Sequence, residues 1–138
     1  MAFKRVLIAN RGEIALRILR TLRDMGIEAA IIHGREDRLS LPVRLADVAY
    51  ANNKPNPLDT YLDIESVITA AKEMGCDAVH PGYGFFSENP DFARAITAMG
   101  VAFIGPPPEA IDEMGDKVSS RKAALRGGAP IVPGTTEF

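Results

Sequence analysis

Short apolar runs alternate along this chain with stretches of helical period. Val6-Leu7-Ile8-Ala9 is an unbroken apolar run, which predicts a strand buried on both faces. From Glu13 to Met25 the period changes to helical. Ile14, Ala15, Ile18, Leu19, Leu22 and Met25 share one side, and Glu13, Arg17, Arg20 and Asp24 share the other. Gly26 marks the helix end, and Ala29-Ala30-Ile31-Ile32 repeats the strand signal. Residues 34–45 are polar and irregular. Val48-Ala49-Tyr50 reads as a short strand, and Asn52 to Asp59, with Pro55 and Pro57, as a surface loop.

Asp63 stands where a helix cap is expected, before a helix to about Met74 with Ile64, Val67, Ile68 and Ala71 inward. Ala78-Val79-His80 is the next strand. Asn89 caps and Pro90 opens a further helix, with Phe92, Ile96 and Met99 inward. Ala102-Phe103-Ile104 is a strand closed by Gly105 and three prolines. A short helix to Met114 follows, then one from Lys117 to Arg126 capped by Asp116. Met74, Met99 and Met114 precede glycines at helix ends and read as core fill. Ile131-Val132 carries a last strand signal, as if a new element began there and the chain were cut at a domain junction.

This alternation predicts an α/β fold: an open parallel sheet with helices on both faces. Ligands of such sheets bind beyond the carboxyl ends of the strands. Three loops belong there: Asn10-Arg11-Gly12-Glu13, His80 to Asn89, and Gly105 to Pro108.

Composition narrows the picture only modestly. With 138 residues, 46% hydrophobic and 25% charged, the chain has the size and balance of one globular domain. A net charge of −2 argues against nucleic acid or an anionic membrane as a general partner. The single cysteine, Cys76, leaves no internal disulfide and suits a reducing compartment. No apolar run approaches the roughly 20 residues of a membrane helix. The N-terminal apolar stretch is too short for a signal peptide. A cytoplasmic location is expected, or an organelle matrix after removal of a leader.

The chemistry concentrates in "HPGYGFFSEN", His80 to Asn89. No phosphate-binding Gly-x4-Gly-Lys-Ser/Thr loop occurs. Gly82-Tyr83-Gly84-Phe85-Phe86-Ser87 comes nearest to a dinucleotide motif, but serine takes the third glycine slot and the run does not follow the first strand. Two scattered histidines and one cysteine make no metal constellation. His80 at a strand end reads as structural or as functional, with the structural reading favoured. Tyr83, between two glycines, is placed to be exposed and to meet a ligand. Glu88 either favours the start of the Pro90 helix or works in the loop. Arg11 lies beside a helix N-terminus where an anion could sit. Glu13-Arg17 and Arg20-Asp24 are i,i+4 pairs, on a solvated face or at a subunit contact. Lys117, after a Met-Gly-Asp turn, is by spacing alone a surface lysine.

Taken together, six stretches carry a resemblance. "IANRGEIALRILR" (Ile8 to Arg20), "RLAD" (Arg44 to Asp47), "HPGYGFFSEN", "FIGP" (Phe103 to Pro106), "MGDK" (Met114 to Lys117) and "VPG" (Val132 to Gly134) stand in the order and about the spacing of one family. The chain resembles the N-terminal domain of biotin carboxylase, the ATP-dependent component of biotin-dependent carboxylases. The resemblance implies a Rossmann-like, pre-ATP-grasp domain over residues 1–115. Residues 116–138 would start a linker into an ATP-grasp portion. It implies an enzyme that uses ATP and Mg2+ to activate bicarbonate as carboxyphosphate and then carboxylates biotin on a carrier domain.

By position, Lys117 matches a lysine that contacts ATP phosphates. Tyr83 and Gly84 match residues lining the biotin pocket. Arg17, Arg20 and Asp24 match a helix that helps form a homodimer, where the family commonly has glutamate at the position of Asp24. Phe86 stands where leucine is usual, and residues 50–58 depart most from the family text. The remaining implied partners are the biotin carboxyl carrier domain and the carboxyltransferase. The family's metal carboxylates and bicarbonate-holding residues fall beyond residue 138, so no catalytic residue and no metal ligand is expected within these residues. Nor is a tightly bound cofactor expected on the isolated chain, which is expected to be inactive and to be a monomer or weak dimer. The competing reading is a self-standing nucleotide-binding or dimerisation module of the same fold. Coding sequence beyond Phe138 would separate the two.

Overall fold

The computed structural model describes residues 3–133. Among them, five parallel strands form one sheet: β1 (Arg5–Ile8), β2 (Glu28–His33), β3 (Val48–Ala51), β4 (Ala78–His80) and β5 (Ala102–Phe103). Their spatial order is β3-β2-β1-β4-β5. The chain therefore builds outward from β1 to one edge, then returns to the other side of β1 and builds outward again. That reversal puts a topological switch point between β1 and β4, where a doubly wound sheet opens a crevice at its carboxyl edge.

The crevice opens because the connections leave on opposite faces. Val6 and Ile8 of β1 point one way and Leu7 and Ala9 the other, as the twofold pleat requires. Val6, Ile8, Ala29 and Ile31 pack under α1 (Gly12–Asp24), with Ala15, Ile18, Leu19 and Leu22 as its buried stripe. Leu7, Ala30, Ile32 and Val79 pack under α4 (Ile64–Glu73) and α5 (Pro90–Ala98). Phe92 of α5 is fully buried, stacked on Phe86 at 4.2 Å and edge-on to Phe103 at 6.0 Å. Burying one such ring contributes about 1.5–3 kcal/mol, so this cluster anchors the Phe86 end of the 80–89 loop.

The other helices are α2 (Leu41–Leu45), α3 (Asp59–Leu62), α6 (Pro108–Gly115) and α7 (Lys117–Arg126), with a 3-10 turn at Phe85–Glu88. The fold class and the principal alternation match expectation. Asn89 caps α5 by accepting from the Phe92 N–H at 3.0 Å, and Asp116 caps α7 by accepting from the Ser119 N–H at 2.7 Å.

Several details differ. The polar stretch 34–45 contains α2, started by Ser40 with Pro42 in its first turn, and the end of the 52–59 loop rises into α3. Asp63 holds the cap position of α4, yet its carboxylate turns to the Ser66 hydroxyl and, at 3.0 Å, to the Lys54 ammonium. Met25, expected on the inner side of α1, is 66% exposed, and Met114, expected as core fill, is 59% exposed. Met74 is buried and Met99 packs against the core. Ile131 and Val132 join no strand among the described residues. Gly134 of the "VPG" stretch lies outside the described residues. Cys76 is buried, which pushes its thiol up to about 11 and leaves it a packing residue.

Candidate functional site

The loops after β1 and β4 meet across the switch point, and one side chain joins them. Asn10, directly beyond β1, is 3% exposed. Its amide nitrogen donates to the Pro81 carbonyl at 2.7 Å and to the Tyr83 carbonyl at 2.9 Å. Its carbonyl oxygen accepts from the Arg11 N–H at 2.8 Å. Gly82 lies against this amide with φ +70°, and a Cβ there would stand 2.7 Å from the Asn10 nitrogen. The glycine resembling part of a dinucleotide motif thus admits a protein side chain, where a pyrophosphate would need the space in the true motif.

His80 closes β4 with its ring half-buried. Its Nδ1 accepts from the Gly82 N–H at 3.0 Å, which fixes that nitrogen as unprotonated. Burial holds its pKa below the ordinary 6.5. The geometry is that of a structural histidine.

Tyr83 is 61% exposed at the crest of the turn, and its hydroxyl donates to Glu13 at 2.8 Å. That bond to a carboxylate, strongest while the phenol keeps its proton, raises the phenol's pKa. Gly84 follows at φ 62° and ψ −162°, a conformation open essentially to glycine alone. A Cβ on Gly84 would meet nothing within 4 Å, so backbone conformation selects this glycine. Asn10, Arg11, Ile14, Tyr83, Gly84 and Phe85 enclose a shallow cavity of about 270 Å³.

Arg11 does not stand ready for an anion. Its guanidinium holds Asp37 in a two-point pair at 2.6 and 2.7 Å, and Tyr61 donates its hydroxyl to the same carboxylate at 2.6 Å. The hydrogen bond from Arg11 is the main reason the Asp37 carboxyl lies below the usual range. Tyr61 stacks on Phe85 at 5.7 Å, and Phe85 has φ +46°, rare for a residue with a side chain. This network braces the far side of the 80–89 loop. It also fills the place beyond β2 where a dinucleotide-binding sheet offers a carboxylate to ribose. Sequence reasoning missed Asn10, Asp37 and Tyr61 because their partners lie 24 to 73 positions away.

Glu88 is exposed, and with Ser87, Pro106, Met114 and Gly115 it lines a second cavity of about 280 Å³. The 80–89 loop, the loop after β5 and the end of α6 therefore adjoin one another. Lys117, two residues beyond Gly115, opens α7 with an exposed side chain that forms no ion pair among the described residues. Arg17, Arg20 and Asp24 are exposed on the outer face of α1. Neither expected i,i+4 pair forms among the described residues: Glu13 is taken by Tyr83, and Arg17 donates to the Thr21 hydroxyl at 2.5 Å. No group of three or more metal-ligating side chains occurs among the described residues.

Comparison with known proteins agrees with this fold. Residues 2–111 match the family described as biotin carboxylase, N-terminal domain. A biotin carboxylase of Halalkalibacterium halodurans is 47% identical over 133 residues, 96% of this chain and 29% of that protein. The mitochondrial pyruvate carboxylase of Rattus norvegicus is also 47% identical over 133 residues, 11% of its length. Among solved structures, the biotin carboxylase domain dimer of Hydrogenobacter thermophilus 2-oxoglutarate carboxylase, in complex with MgADP, ADP and bicarbonate, superposes with a TM-score of 0.93. It is 44% identical, and the match covers 99% of this chain and 30% of that one. The chain thus spans under a third of the length of these relatives.

Proposed function

Since the chain belongs to the biotin carboxylase N-terminal domain family, we propose that it forms the opening domain of an ATP-dependent ligase that carboxylates biotin with bicarbonate. In this reading residues 1–115 are the Rossmann-like body, and residues 116–138 lead into an ATP-grasp portion of the same enzyme. The observation that carries it is the joined rim at the switch point. A glycine-flanked, outward Tyr83 sits on a loop braced from both sides. The same loop adjoins the helix end that precedes Lys117.

The residues present suit the groups they would meet. Gly84, with no side chain and open space around it, leaves room for the planar ureido group of biotin beside the Tyr83 ring. Lys117 brings an ammonium to a helix N-terminus, where cation and backbone dipole both favour a phosphate oxygen. Bound there, Mg-ATP would supply the phosphoryl chemistry that activates bicarbonate. Tyr83 and Gly84 would orient biotin, and Lys117 would hold phosphate; no residue of this stretch performs the chemical step.

The partners in this reading are the ATP-grasp portion, the biotin carboxyl carrier domain, the carboxyltransferase, and a second copy through the α1 face of Arg17, Arg20 and Asp24. The cytoplasm, or the matrix of a mitochondrion, is the corresponding location. Among the described residues no helix is long and apolar enough to cross a membrane. The self-standing nucleotide-binding module has no observation in its favour, because Asn10 and the Arg11–Asp37 pair occupy the places such a module would give to its ligand.

Kinetics of the carboxylase containing this domain test the assignment. Tyr83→Ala should raise KM for biotin about tenfold, one lost contact's worth, with KM for ATP unchanged. Lys117→Ala should do the reverse. A biotin KM untouched by Tyr83→Ala would remove that residue from the pocket.

A further inference from the structure

We infer that Asn10 is the positioning residue of the rim: its carboxamide sets the peptide orientations from Pro81 to Gly84, and so which backbone groups face a ligand. All of its hydrogen-bonding capacity toward the loop is committed. Two amide hydrogens go to the Pro81 and Tyr83 carbonyls, and the oxygen takes the Arg11 N–H. The amide can point only one way, because reversing it would set oxygen against two carbonyls and a nitrogen hydrogen against the Arg11 N–H.

The consequence for the rim follows from peptide planarity. Tying the Tyr83 carbonyl inward turns the N–H of Gly84, across the same trans peptide, away from Asn10. The Pro81 carbonyl is likewise turned in, while the Gly82 N–H is taken by His80. Among the described residues the N–H groups of Tyr83 and Gly84 have no protein acceptor, and that of Gly84 is turned out beside the Tyr83 side chain. No other side chain meets these demands. Aspartate lacks the donors, glutamine's extra methylene would push the amide past both carbonyls, and serine is too short to span them. The clamp also explains why the loop tolerates its two positive-φ glycines and Phe85 without losing register.

Whether the clamp acts on biotin rests on the pocket reading of Tyr83 and Gly84, so two readouts are needed. The first is independent of any ligand. In the 138-residue chain labelled with 3-fluorotyrosine, the Tyr83 resonance is assigned by Tyr83→Phe and titrated with pH. In the parent its phenol is held up by Glu13. In Asn10→Asp it should return to the ordinary tyrosine value while the Tyr61 resonance keeps its position. Asn10→Ser gives the same readout should Asn10→Asp not fold. A Tyr83 titration identical to the parent's in a folded variant overturns the clamp. The second readout is kinetic: Asn10→Asp in the carboxylase should raise KM for biotin about tenfold, the loss of one oriented contact, with KM for ATP unchanged. If Tyr83→Ala raises that KM and Asn10→Asp does not, the positioning role is wrong. If Tyr83→Ala itself has no effect, the pocket reading fails, and the fluorine titration alone decides the clamp.

Discussion

His80 shows how a single side chain ties pH to the shape of the rim. Its Nδ1 can accept from the Gly82 N–H only while unprotonated; a proton there would set two N–H groups face to face. Burial lowers its folded-state pKa beneath the ordinary 6.5. The unfolded chain therefore binds this proton first as pH falls. The stability contributed by neutral His80 is complete above 6.5 and is lost as pH drops below 6.5 through the folded-state value. His80→Asn keeps an acceptor at the Nδ1 position and removes the titration. Thermal unfolding midpoints measured from pH 7.5 to 5 should fall less steeply in that variant than in the parent. Parallel slopes for the two proteins would show that His80 is not the group responsible. Its strand-end position suggested a structural histidine, but the sequence could not name Gly82 as its partner, nor Asn10 as the group behind the turn. The Gly82 contact is local, two residues on, and depends on the turn's conformation, while that of Asn10 depends on tertiary approach across 71 to 73 residues.

Among the elements, α1 has the clearest division of labour. Its inner stripe is committed to the sheet, while Arg17, Arg20 and Asp24 point outward beside an open groove of about 600 Å³ lined by Phe3, Arg17, Thr21 and Met25. Arg20 and Asp24 form no ion pair among the described residues. In a twofold contact, helix against its own copy, Arg20 of each protomer can meet Asp24 of the other, so each such pair occurs twice. Two exposed pairs contribute about 0.2–1 kcal/mol each. Arg20→Glu should then weaken self-association on the order of tenfold in sedimentation at low salt. Identical mass distributions for parent and variant at high concentration would remove α1 from any subunit contact.

Elements were legible where local chemistry closes them. Asn89-Pro90 and Asp116-Lys117 mark the starts of α5 and α7 because capping is a short-range event. The helices α2 and α3 were not legible: with five and four residues they make little more than one turn, so no apolar position repeats often enough to show a period. Nor could an apolar pair such as Ile131-Val132 reveal by itself whether a neighbouring strand pairs with it.

At the scale of the whole molecule the question is what 138 residues can bind unaided. A micromolar nucleotide site requires about 8 kcal/mol. Lys117 supplies one charged hydrogen bond, roughly 1.5–3 kcal/mol net before the side chain is ordered. The neighbouring rim adds backbone donors, but its arginine beside the switch point is not free: Arg11 is held by Asp37. The deficit, about 5 kcal/mol or more, is too large for loop contacts that must first be ordered. The isolated chain should therefore bind Mg-ATP in the millimolar range or more weakly by calorimetric titration, and release no phosphate with bicarbonate and biotin present. A low-micromolar constant would mean that the rim carries a complete nucleotide site and that Lys117 is only part of it. Weak binding alongside a large Lys117→Ala effect on ATP in the carboxylase would instead place most of the missing energy on residues outside this stretch. That division fits a rim whose own Arg11 and Asn10 are spent on holding its shape.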